Sequence, residues 1–274
     1  MLELTQRLLR AAEGGDPVVL TSVIEAGPEA VTLGARMLVE ADGTRMGSLG
    51  PSTLDDAAAS YAAGAFDRHA AETTYFDGFA LAPRFRQGAT AVYVEVVEAR
   101  PVFLVVGAGH IGRWLAHLAS MLSFQVAVVD DREDMANAER FPEADDIICA
   151  DYEAALDRFP INSNTTIVLV TRGHKQDELS LRHCLGRGAA YLGMIGSKRR
   201  TGAVLQHLRD DGFDPAELAK VRTPIGLDIG AETPEEIALA IMAEVIMLRR
   251  GGTAKPMYHR RPHHAPGPRP DPRA

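Results

Sequence analysis

At 274 residues with 46% hydrophobic side chains, the chain exceeds one typical domain and carries enough apolar material for more than one core. Its 29 basic and 37 acidic residues leave a formal charge of -8, which favours solubility and offers little attraction for nucleic acid or an anionic membrane. Cys149 and Cys184 are too few for a disulfide framework, and the stretch from Met1 lacks a signal-peptide pattern, so the sequence predicts a reduced, cytoplasmic protein that spans no membrane.

A helix is predicted near residues 2–13, then a strand at Val18 to Glu25, with turns at Gly27-Pro28 and Asp42-Gly43. Residues 53–66 read as a second helix capped by Thr53, with Asp56 three positions later, and Tyr93 to Glu98 as a strand. Arg100-Pro101 marks a connection, because proline fixes its own φ and disfavours helix just before it. The expected architecture is α/β: a small mixed α/β domain over residues 1–99, a Rossmann-like parallel-sheet domain over 100–250, and a basic, proline-rich, mobile tail over 251–274. The tail holds His259, His263 and His264, but no neighbouring carboxylate or thiol completes a metal site there, and no metal is assigned.

The strongest local signal is Val102-Phe103-Leu104-Val105-Val106 running into Gly107-Ala108-Gly109-His110-Ile111-Gly112. A buried strand entering a glycine-rich turn and then a helix is the context in which this spacing binds dinucleotides. Gly107 would permit the tight turn, Gly109 would let phosphate approach the backbone, and Gly112 would let the helix pack closely, while the helix N-terminus stabilises pyrophosphate. The helix is expected over Ile111 to Leu122 and the next strand over Gln125 to Val129, ending at Asp130. Asp130 would accept hydrogen bonds from an adenosine ribose and repel a 2′-phosphate, favouring NAD over NADP or a related nucleotide. Asp131 is the alternative contacting carboxylate, and Arg132 either pairs with one of these acids or softens the discrimination against phosphate. His110 sits inside the loop, where it faces a ligand or solvent.

Further strands are expected at Ile147-Ile148 and Ile167 to Val170, with a helix at 153–158 between them. In such folds ligands occupy the crevice beyond the C-terminal strand edges, so the segments that follow strands matter most. Thr171 to Asp177 is one such segment: Arg172 and Lys175 attract anions, and His174 offers a hydrogen bond or a proton. Tyr191 to Met194 leads into a second, where Gly196 turns the chain, Ser197 caps a helix or binds phosphate, and Lys198 and Arg199 neutralise an anion. Thr223 to Gly230 forms a glycine-containing turn before Thr233-Pro234-Glu235-Glu236, which predicts a capped helix whose Ile237, Ile241, Val245 and Leu248 form a packing stripe. No catalytic residue is assigned. Cys149 and Cys184 read as buried structural cysteines.

Gly34-Ala35-Arg36-Met37, Gly107 to Gly112, Thr171 to Asp177, Gly193 to Arg200 and Pro224 to Gly230, taken together, resemble the XdhC/CoxI family of xanthine dehydrogenase accessory proteins over about residues 10–250. The resemblance implies a molybdenum cofactor-binding maturation factor, with apo-xanthine dehydrogenase or a related molybdoenzyme as partner, and a homodimer is compatible with such a factor. After Met46-Gly47-Ser48, related chains often continue through a Gly-Gly-Cys-containing segment, whereas this chain reads Leu49-Gly50-Pro51-Ser52-Thr53-Leu54-Asp55. A hydroxyl does not reproduce the sulfur-transfer chemistry of a thiolate. The departure leaves three readings: noncovalent holding of the cofactor, recruitment of a sulfurtransferase, or a diverged paralogue. An NAD-dependent oxidoreductase and a nucleotide-binding regulatory protein are the alternatives outside the maturation role.

Overall fold

Two hydrophobic patterns divide the chain. The first third of the chain holds short strands with mixed burial, whereas the strands at 102–106, 125–130 and 165–169 are apolar and almost wholly buried on both faces. The computed structural model describes residues 2–27, 31–66 and 71–259, apart from the side chains of His174 and His259. Pro28 of the first expected turn and the tail from residue 260, with His263 and His264, lie outside the described residues.

The first part runs α1 (Leu2–Ala12), β1 (Val18–Glu25), β2 (Arg36–Glu40), β3 (Arg45–Ser48), α2 (Ser52–Ala63), β4 (Glu72–Asp77), β5 (Ala80–Ala82) and β6 (Thr90–Val97). The six strands form one antiparallel sheet in the order β3-β2-β1-β6-β4-β5. Successive side chains of a strand face opposite sides, so β1 serves two cores at once. Val19 and Val23 pack with Leu54, Ala58 and Ala62 of α2, while Val18 and Leu20 pack with Leu4 and Ala11 of α1. The α2 N-terminus differs from expectation: Pro51 occupies the cap position without a side-chain bond. The acid of its first turn, Asp55, instead accepts from Leu49 N and Ser48 Oγ, each at 2.7 Å, and fixes the preceding loop.

The second part runs β7 (Val102–Val106), α3 (His110–Met121), β8 (Gln125–Asp130), β9 (Asp146–Cys149), α4 (Tyr152–Arg158), β10 (Thr165–Leu169), α5 (His174–Cys184), β11 (Tyr191–Met194), α6 (Lys198–Asp210), α7 (Pro215–Leu218) and α8 (Pro234–Arg249). Its five strands are parallel, in the order β11-β10-β7-β8-β9. Helices cover both faces. Phe103, Val105, Val126, Val128 and Val168 meet α3 and α8, and Leu104, Val106, Val129, Ile167 and Leu169 meet α4, α5 and α6. Double coverage explains the uninterrupted apolar runs of β7, β8 and β10. The Thr233 capping box opens α8 as expected, and Ile241 and Val245 are buried. Leu248, assigned to the same stripe, is instead 40% exposed, in the last turn of α8. Arg249 of α8 pairs with Glu98 in the link between β6 and β7, and Arg100 donates to Phe124 O at 2.6 Å.

Among the described residues, no helix is long and apolar enough to cross a membrane.

Candidate functional site in the parallel-sheet crevice

The strand order places β7 between β8, which follows it, and β10, which arrives after two further elements. Connections leave β7 and β10 in opposite directions, and the crevice of a doubly wound sheet opens at that reversal. Helices α3, α5 and α6 all begin at this edge, capped by Gly109, Gly173 and Ser197.

The three glycines of the loop serve separate physical purposes. Gly107 has φ +115°, and a Cβ there would lie 2.6 Å from Val170 O. A Cβ on Gly112 would lie 2.0 Å from Gly107 O, so this position must be bare for α3 to approach β7. A Cβ on Gly109 would meet nothing within 4 Å. The first and third glycines are therefore demanded by the fold, and the second faces open space at the head of α3. His110, the first helical residue, is exposed.

Asp130 is wholly buried and is not a free acceptor. Its Oδ2 accepts from Ala108 N at 2.8 Å and Arg132 Nη2 at 2.9 Å, and its Oδ1 from Arg132 Nε at 2.8 Å and Arg132 N at 3.1 Å. Burial pushes this carboxyl up, but the Arg132 guanidinium and the two amides outweigh it and hold it below the ordinary carboxylate range. Next to it, Asp131 Oδ2 accepts from Arg172 Nη2 at 2.7 Å, joining the loop after β8 to the loop after β10 across the end of β7. Tyr152, on α4 against the same acids, is 3% exposed, its hydroxyl finds no well-formed hydrogen bond among the described residues, and burial followed by the charges of Asp130 and Asp131 raises its pKa.

A second acid, absent from the sequence-based site, organises the other side. Asp177 accepts from Thr171 Oγ1 at 2.5 Å, Thr171 N at 3.3 Å and Arg200 Nη2 at 2.9 Å, tying the loop after β10 to the head of α6. Burial raises its pKa against the opposing pull of Thr171 and Arg200. Ser197 caps α6 through the amide of Arg200. Ser197, Lys198 and Arg199 are exposed at the same edge, and Gly196 has φ +147°. His174 contributes its backbone to the first turn of α5. The turn at Thr223 to Gly230 faces α8 rather than open crevice: Gly226 N donates to Glu244 Oε2 and Leu227 N to Ala240 O.

Cys184 is buried and its thiol is pushed up to about 12 by burial. Cys149 departs from the buried structural reading: it is exposed, because β9 is the sheet's edge strand. No group of three or more His, Cys, Asp and Glu side chains suited to a metal occurs among the described residues. A cavity of about 900 Å³ lies at the opposite edge, lined by Glu13, Arg100, Gln125, Asp146 and Asn164. Its size does not make it the site, because the glycine turn and the helix N-termini converge at the other end of the strands.

These features define a protein with an antiparallel α/β unit joined to a Rossmann unit whose crevice is lined by helix N-termini and guanidiniums. Residues 103–245 match the XdhC Rossmann domain and residues 11–77 match the XdhC and CoxI family, and the chain belongs to that family. It is 27% identical over 256 residues to the uncharacterized protein YqeB of Escherichia coli, covering 92% of this chain and 47% of that protein. It is 33% identical over 168 residues to a probable xanthine dehydrogenase component of Bacillus subtilis, covering 61% of this chain and 48% of that protein. The chain thus spans about half the length of these curated relatives. A solved xanthine dehydrogenase of Bacillus halodurans is 21% identical, covers 91% of this chain and 96% of its own, and superposes with a TM-score of 0.53, which shows a shared fold.

Proposed function

We propose that this chain is an accessory factor that binds molybdenum cofactor and assists its delivery to, or maturation in, xanthine dehydrogenase or a related molybdoenzyme. Family membership in both parts of the chain carries this reading, and the name of the Bacillus subtilis relative points to the same enzyme. The crevice fits a phosphate-bearing ligand. Three helix N-termini, Arg172, Lys198 and Arg199 stand at one sheet edge, and Gly109 leaves open space beside the head of α3. Within this role the glycine loop seats the phosphates of a dinucleotide, NAD(P) or a related nucleotide.

The early loop does not fit a sulfur-transfer role. Ser48 Oγ is hydrogen-bonded to Asp55, and the residues beside it supply no thiol. Sulfur chemistry on the cofactor would therefore fall to a separate sulfurtransferase, with this chain holding the cofactor noncovalently. No comparison supports the oxidoreductase alternative.

Protein loaded with molybdenum cofactor should activate an apo-xanthine dehydrogenase stoichiometrically, with native mass spectrometry showing the cofactor leaving this chain. If neither cofactor binding nor activation occurs across candidate molybdoenzymes, the reading fails.

A further inference from the structure

We infer that the crevice selects a dinucleotide whose adenosine ribose carries an extra phosphate, as in NADP, over the unphosphorylated NAD, with Arg132 and Arg172 forming the seat for that phosphate. This rests on the reading that the glycine loop holds a dinucleotide, and it reverses the preference that Asp130 suggests in the sequence alone.

The first reason is that Asp130 is already saturated. A carboxylate offers about four acceptor positions, and Ala108 N, Arg132 N, Arg132 Nε and Arg132 Nη2 fill them. For a ribose hydroxyl to bind there, it would have to displace a charge-assisted bond made by a two-pronged guanidinium, and a neutral hydroxyl is the weaker partner. In this fold the acid at the end of the second strand recognises the ribose diol, and a nearby arginine is what accommodates a 2′-phosphate. Here the acid is spent on fixing the glycine loop and the arginine.

The second reason is the arrangement around Asp131. Arg172 Nη2 contacts Asp131 Oδ2 at 2.7 Å, and Arg132 Nε stands 3.9 Å from Asp131 Oδ1, which is itself buried without a hydrogen-bond partner. The two guanidiniums come from the loops after β8 and β10 and flank one carboxylate at the rim of the crevice. Their side chains are 30% and 42% exposed, so a ligand reaches both. Arg132 uses Nε and Nη2 on Asp130, and its Nη1 makes no hydrogen bond to the described residues. A carboxylate held between two arginines marks a position that suits an anion. A phosphate monoester, with more charge and three terminal oxygens, would take Arg172 from Asp131 and also engage the outer edge of Arg132. An unphosphorylated ribose offers either arginine only a neutral hydroxyl, a weaker acceptor than a phosphate oxygen.

Calorimetric titration of the full chain with NAD and with NADP tests the assignment, and Trp114, the single tryptophan, supplies an independent fluorescence signal from α3. NADP should bind about tenfold or more tighter than NAD, the gain expected of charged hydrogen bonds. Arg172→Ala should erase most of that preference by weakening NADP far more than NAD. Asp131→Asn, which removes the competing carboxylate, should tighten NADP and leave NAD unchanged. Arg132→Ala should weaken NADP and strengthen NAD, because Asp130 is uncovered. Arg172→Ala perturbs only a rim contact, so it remains informative should the Arg132 variant fold poorly. Equal or tighter binding of NAD by the unaltered protein overturns this inference while leaving the dinucleotide crevice standing. Failure of both dinucleotides to bind, at concentrations up to the millimolar range, overturns the crevice reading and this inference with it.

Discussion

Replacing Gly112 with alanine should damage the protein, and replacing Gly109 with alanine should not, although the two glycines sit three positions apart in one loop. A Cβ on Gly112 falls 2.0 Å from Gly107 O and 3.2 Å from Val105 Cγ1. Neither neighbour yields easily, since one is backbone at a φ of +115° and the other belongs to a fully buried strand residue. Helix α3 would have to lift from β7, and overpacking of this kind costs about 1–3 kcal/mol or more. For a unit of this size the melting temperature should fall by about 2–4 °C per kcal/mol. Gly109 sits at the α3 cap with φ -72° and an unobstructed Cβ direction, so alanine there should change stability by less than about 1 kcal/mol. Thermal unfolding followed through Trp114 reports on this unit selectively. Gly109→Ala should retain the melt yet weaken nucleotide binding, because its methyl enters the space beside the loop amides. A Gly112→Ala protein that melts like the parent would refute the close helix–strand approach. A Gly109→Ala protein that melts as low as Gly112→Ala would show that the middle glycine serves packing and not a ligand.

Three further outcomes follow from the same geometry. Asp130→Asn should destabilise the protein by about 2 kcal/mol at neutral pH through the loss of charged hydrogen bonds; since the folded carboxyl lies below its ordinary range, the Asp130 contribution is present above about pH 4 and is lost as pH falls through the lowered value. Denaturant titrations at several pH values should therefore show parent and variant converging in acid, and a constant gap would contradict the ionised clamp. Thiol labelling of the native protein should modify Cys149 and spare Cys184 until unfolding, as mass spectrometry of the peptides would show. Thr233→Ala removes the side-chain half of the α8 capping box, in which Thr233 Oγ1 accepts from Glu236 N, and should cost about 1 kcal/mol in urea unfolding.

The parallel sheet was legible in the sequence because burial on both faces writes each strand as an apolar run, and Gly107 to Gly112 punctuates the first of them. Strand β3, Arg45–Ser48, carries no such signal: it is an edge strand with little buried surface. Strand β4, Glu72–Asp77, buries only Thr74 and Phe76 among its residues, and α5 has few apolar positions and a glycine cap. The site was legible only in part. Asp130 has the right position after β8, but its role depends on Arg132 folding back onto it. The pairs Arg172–Asp131 and Arg200–Asp177 join loops that meet only in the folded sheet, so no local spacing announces them. The one available hint for Asp177 was an acid in a helix first turn directly after a strand.

The placement of β10 beside β7 also constrains how the protein is made. Val102 pairs with Thr165 and Val106 with Leu169, so β7, β8 and β9 leave the ribosome well before the strand that closes the other side of β7. Until then the nascent sheet presents a fully apolar strand with unpaired amides and carbonyls along one edge, a template for association with other chains. The carbonyl of Val170, against which Gly107 is packed, arrives in the same late segment. Any fragment ending before β10 should thus be prone to aggregate, and the ligand crevice matures only when the last third of the chain has docked.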